Sequence, residues 1–161
     1  MELAGPWLDV TDELPAGSPF TLARGDGIGA FHFSSALYRG GVVPAAGTDV
    51  LRQMLWSFGR EKGLGVPADV RVHQNDTVSV GGSFVKGDHI RVWYLSNGRD
   101  FIFASYTSSI AAAEELAQCE AMVRSIEFKE NWANKQPLPI PASVTPAADA
   151  SVAPPSRAAG L

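Results

Sequence analysis

Cysteine is almost absent from this sequence, which has Cys119 alone among 161 residues. One cysteine cannot form an intrachain disulfide, and it is too few for a structural zinc site or a redox pair. This usage is typical of a reducing compartment, so we expect a cytoplasmic protein. Because the helical neighbours of Cys119 are mainly apolar, we expect a small buried side chain rather than a reactive thiolate.

Long apolar runs are lacking as well. No stretch approaches the ~20 apolar residues that a membrane-spanning helix needs. The first residues, Met1–Pro6, contain no basic region followed by an apolar core, so they do not resemble a secretory signal. We therefore expect no membrane among the partners of this protein.

Basic residues are fewer than acidic residues in this sequence. Lysine and arginine number 13 against 17 aspartates and glutamates, which gives a formal net charge of −4. A general nucleic-acid-binding protein needs a basic surface to displace phosphate counterions, so this balance argues against nucleic acid as a partner. The 45% hydrophobic content is ordinary for a globular protein, and the length fits one domain with an extension.

Sequence patterns that carry chemistry are also missing. His32, His73 and His89 have no second histidine or carboxylate at a metal-ligand spacing. Gly82–Phe84 lacks the Gly-x-Ser-x-Gly pattern of a serine nucleophile, and the glycines of 25–29 precede a strand rather than the helix of a dinucleotide site. The sequence therefore predicts no catalytic, cofactor-binding or metal-binding residue, and a protein that is not an enzyme.

Strand signals, in contrast, are abundant between Val78 and Tyr106. Three β-prone segments are separated there by short turns at Lys86–Asp88 and Ser96–Arg99. The Asn-Gly pair in the second turn favours a type I′ hairpin, because both of its central positions accept positive φ. Gly81–Gly82 interrupts the first segment, which indicates a bulge or a close approach of another part of the chain. We interpret the region as an antiparallel meander that the rest of the chain covers.

The other segments predict an N-terminal hairpin, one further strand and two helices. In the segment Ile90–Leu95, apolar side chains point to both faces of the predicted sheet, so we expect both faces to be covered. The expected strands are Trp7–Val10, Phe20–Ala23, Ile28–Ser34 and Val70–Val72, and the expected helices are 49–62 and 111–126. The predicted fold class is therefore α+β, an antiparallel sheet packed with two main helices.

The two predicted helices have recognisable ends. Thr48 is a favourable N-cap for the first helix, and Ser108 or Ser109 for the second. Glu120 falls at the margin of the apolar face of the second helix, among side chains that we expect to contact the sheet. Helix 49–62 has a narrow apolar face, which is typical of a helix that lies on a sheet.

Composition changes near residue 130. The remaining residues are rich in proline and alanine and contain few large apolar side chains. Such a segment buries too little surface to offset its conformational entropy, although Trp132, Leu138 and Ile140 are candidates for packing against the domain. We predict one domain over residues 1–129 and a flexible tail over 130–161.

The order of elements, hairpin–helix–strand–meander–helix, resembles that of the PsbP-like α/β/α sandwich superfamily. The residues that carry this resemblance are Gly29–Ser34, Leu51–Phe58 and Ile90–Gly98, with a weaker contribution from Ile126–Phe128. The resemblance spans roughly residues 7–128 and includes no catalytic signature. It implies a non-enzymatic protein that binds another protein, as do small cytoplasmic bacterial members that resemble toxin-immunity factors or adaptor chaperones of secreted effectors.

Trp56 is the most informative single residue. It lies well away from the centre of the apolar face of helix 49–62, with Arg52 and Arg60 one turn before and after it. Tryptophan and arginine are enriched among the residues that dominate protein–protein binding energy. Either a loop or the tail covers Trp56, or these three residues form a partner-binding surface.

These observations favour a non-catalytic binding protein, most concretely a bacterial immunity protein that neutralises a cognate toxin by direct binding. Charge complementarity, with contributions from Asp9, Asp12, Glu13 and Asp76, would set its orientation on the partner. The alternatives are an adaptor or chaperone for a secreted effector, or a protein that binds a small molecule. The expected partner is a toxin or effector, and the chain is expected to be a monomer or a homodimer.

Overall fold

A computed structural model describes residues 1–128 of the chain. The fold is α+β, with one seven-stranded antiparallel sheet and two α-helices. The predicted flexible tail, 130–161, lies outside the described residues. The strands are β1 (Trp7–Asp9), β2 (Phe20–Arg24), β3 (Gly29–Ala36), β4 (Ala68–Gln74), β5 (Val78–Lys86), β6 (Asp88–Ser96) and β7 (Phe101–Ser108), the helices are α1 (Thr48–Glu61) and α2 (Ala113–Arg124), and a short 3₁₀ turn spans Thr11–Glu13.

The sheet joins the predicted hairpin and the predicted meander edge to edge. Its strand order is β1-β2-β3-β7-β6-β5-β4, and every neighbouring pair is antiparallel. The pairing of β3 with β7, in which Phe31 lies opposite Tyr106, connects the two parts. Both the N-terminal hairpin and the three-stranded meander are therefore confirmed, and β1 and β4 form the two edges.

Each face of the sheet is covered by one helix. On β6, Val92 faces a cluster that contains Leu51 and Leu55 of α1. The adjacent residue Trp93 points to the other face, where Cys119 of α2 is fully buried in a second cluster. The predicted two-sided cover and the predicted burial of Cys119 are both confirmed.

The turn between β6 and β7 differs from the prediction. A type I′ turn needs positive φ at both central residues, but here Gly98 has a φ of +89° and Asn97 does not enter that region. Ser96 pairs with Phe101, so residues 97–100 form a longer loop. The Asn97 Oδ1 atom accepts hydrogen bonds from the backbone N–H groups of Arg99 and Asp100 at 3.0 and 2.8 Å, which stabilise this loop instead.

Both predicted helix caps are wrong. The N-cap of α1 is Gly47 and that of α2 is Ala112, and neither residue makes a side-chain capping hydrogen bond. Thr48 is already the first residue of α1. Ser108 is the last residue of β7, and its hydroxyl donates to the carbonyl oxygen of Ile110 at 2.8 Å.

Gly81 and Gly82 of β5 allow side chains on the two faces to approach the backbone. A Cβ atom on Gly81 would lie 2.6 Å from Cδ1 of Trp93, and one on Gly82 would lie 2.8 Å from Cδ2 of Leu55. The register of β5 with β6 is continuous at both glycines. The close-approach alternative is therefore confirmed, and the irregularity lies in β4, between Ala68 and Arg71.

We expect Gly81→Ala to destabilise the domain by about 1–3 kcal/mol, because the added methyl group overlaps the buried Trp93 ring. Gly25→Ala is the matched control, since a Cβ there has no atom within 4 Å, and its effect should stay within about 0.5 kcal/mol. Urea unfolding followed by tryptophan fluorescence measures both values. Equal stability of the two variants would contradict the close packing over Gly81.

Candidate functional site

Trp56 lies on the outer surface of α1, with 38% of its surface exposed. The tail that could cover it lies outside the described residues. Arg52 and Arg60, one helical turn to either side, are exposed as well. Nη2 of Arg60 donates a hydrogen bond to Oγ of Ser57 over 3.2 Å. The structure therefore brings the three predicted partner-binding residues together on one exposed strip of α1.

The packing beneath α1 shows which side of the helix carries Trp56. Phe58 contacts Phe103 of β7, with ring centroids 5.6 Å apart, so this flank of α1 faces the middle of the sheet. On the other flank, Leu55 and Val70 of β4 converge over the same glycine of β5. Each residue of an α-helix is rotated by about 100° around the axis from the residue before it. Trp56 therefore lies on the same flank as Leu55, but farther around the helix from the sheet. Trp56 is thus on the side of α1 nearest β4.

β4 is an exposed edge of the sheet. Six of its seven residues are exposed, and its outer backbone groups face away from β5. The register with β5 is regular from Arg71 to Gln74, and it shifts between Ala68 and Arg71, where Asp69 has a φ of +47°. The opposite edge, β1, has three residues and a buried Trp7. Among residues 1–128, β4 therefore offers the longer row of unpaired backbone donors and acceptors.

Arg91 of β6 forms a buried polar cluster next to this edge, which the sequence did not reveal. Its side chain is 3% exposed, and it reaches across β5 toward β4. Nη1 donates to the carbonyl oxygen of Asp69 at 2.8 Å and to Oγ of Ser83 at 3.0 Å. The guanidinium also lies 5.7 Å from the centre of the Trp93 ring, within the range of a cation–π interaction.

Glu120 of α2 completes this cluster. Its Oε1 atom lies 3.2 Å from Nη2 of Arg91, and its Oε2 atom lies 3.5 Å from Arg71 and 3.7 Å from Arg124. Burial lowers the pKa of the Arg91 guanidinium from its usual value, and the carboxylates of Glu120 and Asp69 oppose that change. Glu120 lies at the margin of the apolar face as predicted, with 17% of its side chain exposed. Its role is to pair α2 with the sheet.

We expect Glu120→Gln to destabilise the domain by about 2–4 kcal/mol, because it leaves the buried Arg91 charge without its carboxylate on α2. Glu13→Gln removes an exposed carboxylate of the 3₁₀ turn and is the control, with an expected change within about 0.5 kcal/mol. Chemical unfolding monitored by circular dichroism gives both values. A neutral result for Glu120→Gln would show that the ion pair does not hold α2.

Glu115 is a buried carboxylate that sequence reasoning missed. Oε1 accepts a hydrogen bond from the backbone N–H of Ile28 at 3.0 Å, and Oε2 accepts one from that of Gly29 at 3.2 Å. The Tyr106 hydroxyl donates to Oε2 at 2.8 Å, and burial raises the pKa of this phenol. The group fixes α2 to the start of β3. The sequence signal that could have revealed this group is a glutamate within an otherwise apolar helix face.

The three histidines are on separate strands. His32 lies on β3, where Nδ1 is 2.9 Å from Oγ1 of Thr21 and burial lowers the pKa of the ring. His73 lies on β4 and His89 on β6. Within residues 1–128, no group of three or more histidine, cysteine, aspartate or glutamate residues has a metal-binding arrangement.

The acidic residues proposed for steering do not form one cluster. Asp9 ends β1, and its Oδ1 atom accepts hydrogen bonds from the N–H and the hydroxyl of Thr11, which lower the pKa of the carboxyl. Asp12 and Glu13 follow in the 3₁₀ turn. Asp76 lies in the β4–β5 loop, at the opposite edge of the sheet. A single partner surface therefore does not use all four.

Comparison with protein-family models, curated proteins and solved structures finds no match to this chain. The resemblance to PsbP-like proteins therefore stays a prediction. None of the helices in the described range is both long and apolar enough to cross a membrane.

Proposed function

We propose that this protein acts by binding another protein through the surface formed by Trp56, Arg52 and Arg60. The exposed indole on the outer surface of α1 is the observation that carries the proposal. Large aromatic side chains with neighbouring arginines supply most of the binding energy in many protein interfaces. The helix beneath them is anchored by the fully buried Leu51 and Leu55, so its backbone does not have to be ordered when a partner binds.

The specific role we propose is neutralisation of a cognate bacterial toxin in the cytoplasm by steric occlusion. Immunity of this kind needs a rigid surface and a fast, charge-steered encounter, with no chemical step. A large toxin gene directly upstream would identify the candidate partner. An adaptor for a secreted effector would instead bind an extended amphipathic segment without protecting the cell.

The test is co-expression of the full chain with the protein encoded directly upstream of its gene. We expect growth of the host to be rescued and the two proteins to purify together. In the same assay, Trp56→Ala should weaken the complex by about tenfold or more, which corresponds to the loss of an interface hot spot. Isothermal titration calorimetry measures the affinity, and the melting temperature should remain within a few degrees because the side chain is partly exposed.

Val85→Ala is the matched control, since Val85 is 65% exposed and lies on β5 rather than on α1. It should leave the affinity unchanged. Copurification without rescue would favour the adaptor role. Equal affinities of the wild type and Trp56→Ala would show that Trp56 does not contribute to partner binding. A large loss of stability in Trp56→Ala would show that the indole belongs to the core. Either result would contradict the proposed binding surface.

A further inference from the structure

We infer that a second copy of this chain docks on the outer face of α1, so that two α1 helices pack antiparallel about a two-fold axis. The inference rests on the order of the side chains along that face, which is complementary to its own reverse. The dimer uses the surface that we propose for the toxin. It does not depend on the proposed function, because no other protein takes part in it.

Four side chains form an outer strip along α1, namely Asp49, Gln53, Trp56 and Arg60. Successive members are four, three and four residues apart, so all four lie within about 60° of one another around the helix axis. Asp49, Gln53 and Arg60 are exposed, and Trp56 is 38% exposed. Leu55, on the opposite side of the helix, is fully buried against the sheet. The outer strip is therefore open along most of the helix.

The outer strip is complementary to itself when its direction is reversed. The midpoint between Asp49 and Arg60 along the chain is also the midpoint between Gln53 and Trp56. A two-fold axis at this point places Asp49 of each copy opposite Arg60 of the other, and Trp56 opposite Gln53. Such self-complementarity is the condition for a two-fold symmetric interface. Parallel helices in register would instead place each charged residue opposite its own equivalent.

The charges at the two ends of the outer strip are available for this pairing. Asp49 and Arg60 are eleven residues apart, which is about 16 Å along the axis, so they cannot pair within one helix. Within residues 1–128, neither residue forms an ion pair. An acid near the start and a base near the end also suit the dipole of α1 itself. Their equal distance from the centre of one exposed strip is the feature that favours a dimer.

Arg52 adds a contact at the centre of the dimer. It precedes Gln53, and it lies on the same side of the outer strip as Trp56. In the antiparallel pair, Arg52 of each copy therefore lies beside Trp56 of the other copy. A guanidinium over the face of an indole forms a cation–π interaction. Two such contacts, one from each copy, would cover both exposed indoles.

The expected dimer is weak. α1 has 14 residues and is about 21 Å long, and a single helix pair of this length buries less than the roughly 1,600 Å² of a standard protein interface. We therefore expect a dissociation constant in the micromolar range. Because the same side chains cannot contact two molecules at once, a toxin bound at the Trp56 surface would displace the second copy.

The test is sedimentation equilibrium of the full chain over a range of concentrations, without any other protein. Asp49→Arg and Arg60→Asp each convert both intermolecular ion pairs into repulsions, so each should weaken dimerisation by at least about tenfold. Glu13→Arg, at an exposed position of the 3₁₀ turn, is the matched charge-reversal control and should leave dimerisation unchanged. Melting temperatures from circular dichroism verify that all variants are folded.

An equimolar mixture of the Asp49→Arg and Arg60→Asp chains tests the pairing itself. The mixture again places a basic residue opposite an acidic one at both ends of the interface. It should form a heterodimer with an affinity within about threefold of the wild type. A wild-type chain that is monomeric at millimolar concentration, a dimer that neither substitution weakens, or a mixture that stays monomeric would each overturn the inference.

The two proposals can fail separately. If the wild type is monomeric but Trp56→Ala weakens the toxin complex, the proposed function stands and the dimer is refuted. If the charge variants and their mixture behave as expected but Trp56→Ala leaves the toxin complex intact, the dimer stands and the proposed toxin-binding surface is refuted.

Discussion

The two-sided burial of β6 is the constraint on which the rest of the structure depends. Val92 on one face and Trp93 on the other are both buried, so the centre of the sheet needs a helix on each side. α1 and α2 meet that need, and each leaves part of its face uncovered because one helix does not span seven strands. β4 is the strand that this arrangement leaves most open. The exposure of β4 is therefore a consequence of how the core is closed.

Arg91 is the centre of a polar cluster within this otherwise apolar framework. A guanidinium that is 3% exposed must be neutralised, and its partners come from three places: Asp69 on β4, Ser83 on β5 and Glu120 on α2. Replacement of such a cluster by apolar groups can leave stability unchanged, but loss of one member leaves an unpaired buried charge. We infer that the cluster fixes the position of β4 relative to α2.

Much of this fold could be predicted from local patterns, since period-two alternation defines the strands and helical spacing defines α1 and α2. The pairing of β3 with β7, and hence the position of β4 at an edge, depends on contacts between distant residues that no local pattern encodes. The same holds for Arg91 and Glu115, whose partners lie on other elements. The prediction of a type I′ turn at Asn97 was wrong for another reason. An Asn-Gly pair also suits a longer loop that is closed by hydrogen bonds to the asparagine side chain. For the candidate site, helical rotation placed Trp56 away from the buried face of α1. Which flank of the helix that is depends on the contacts of Leu55 and Phe58 with distant strands, which no local pattern encodes.

Native-state hydrogen exchange of the full chain tests the central claim, an open β4 edge on a centrally buried sheet, most directly. Amides of Val92–Leu95 on β6 should exchange only through global unfolding, since neighbouring strands cover both sides. In Arg71–Gln74, every second amide points away from β5 and should exchange at least about 100-fold faster. Equal protection of β4 and β6 would mean that the edge is already occupied in the free protein, and it would contradict the account.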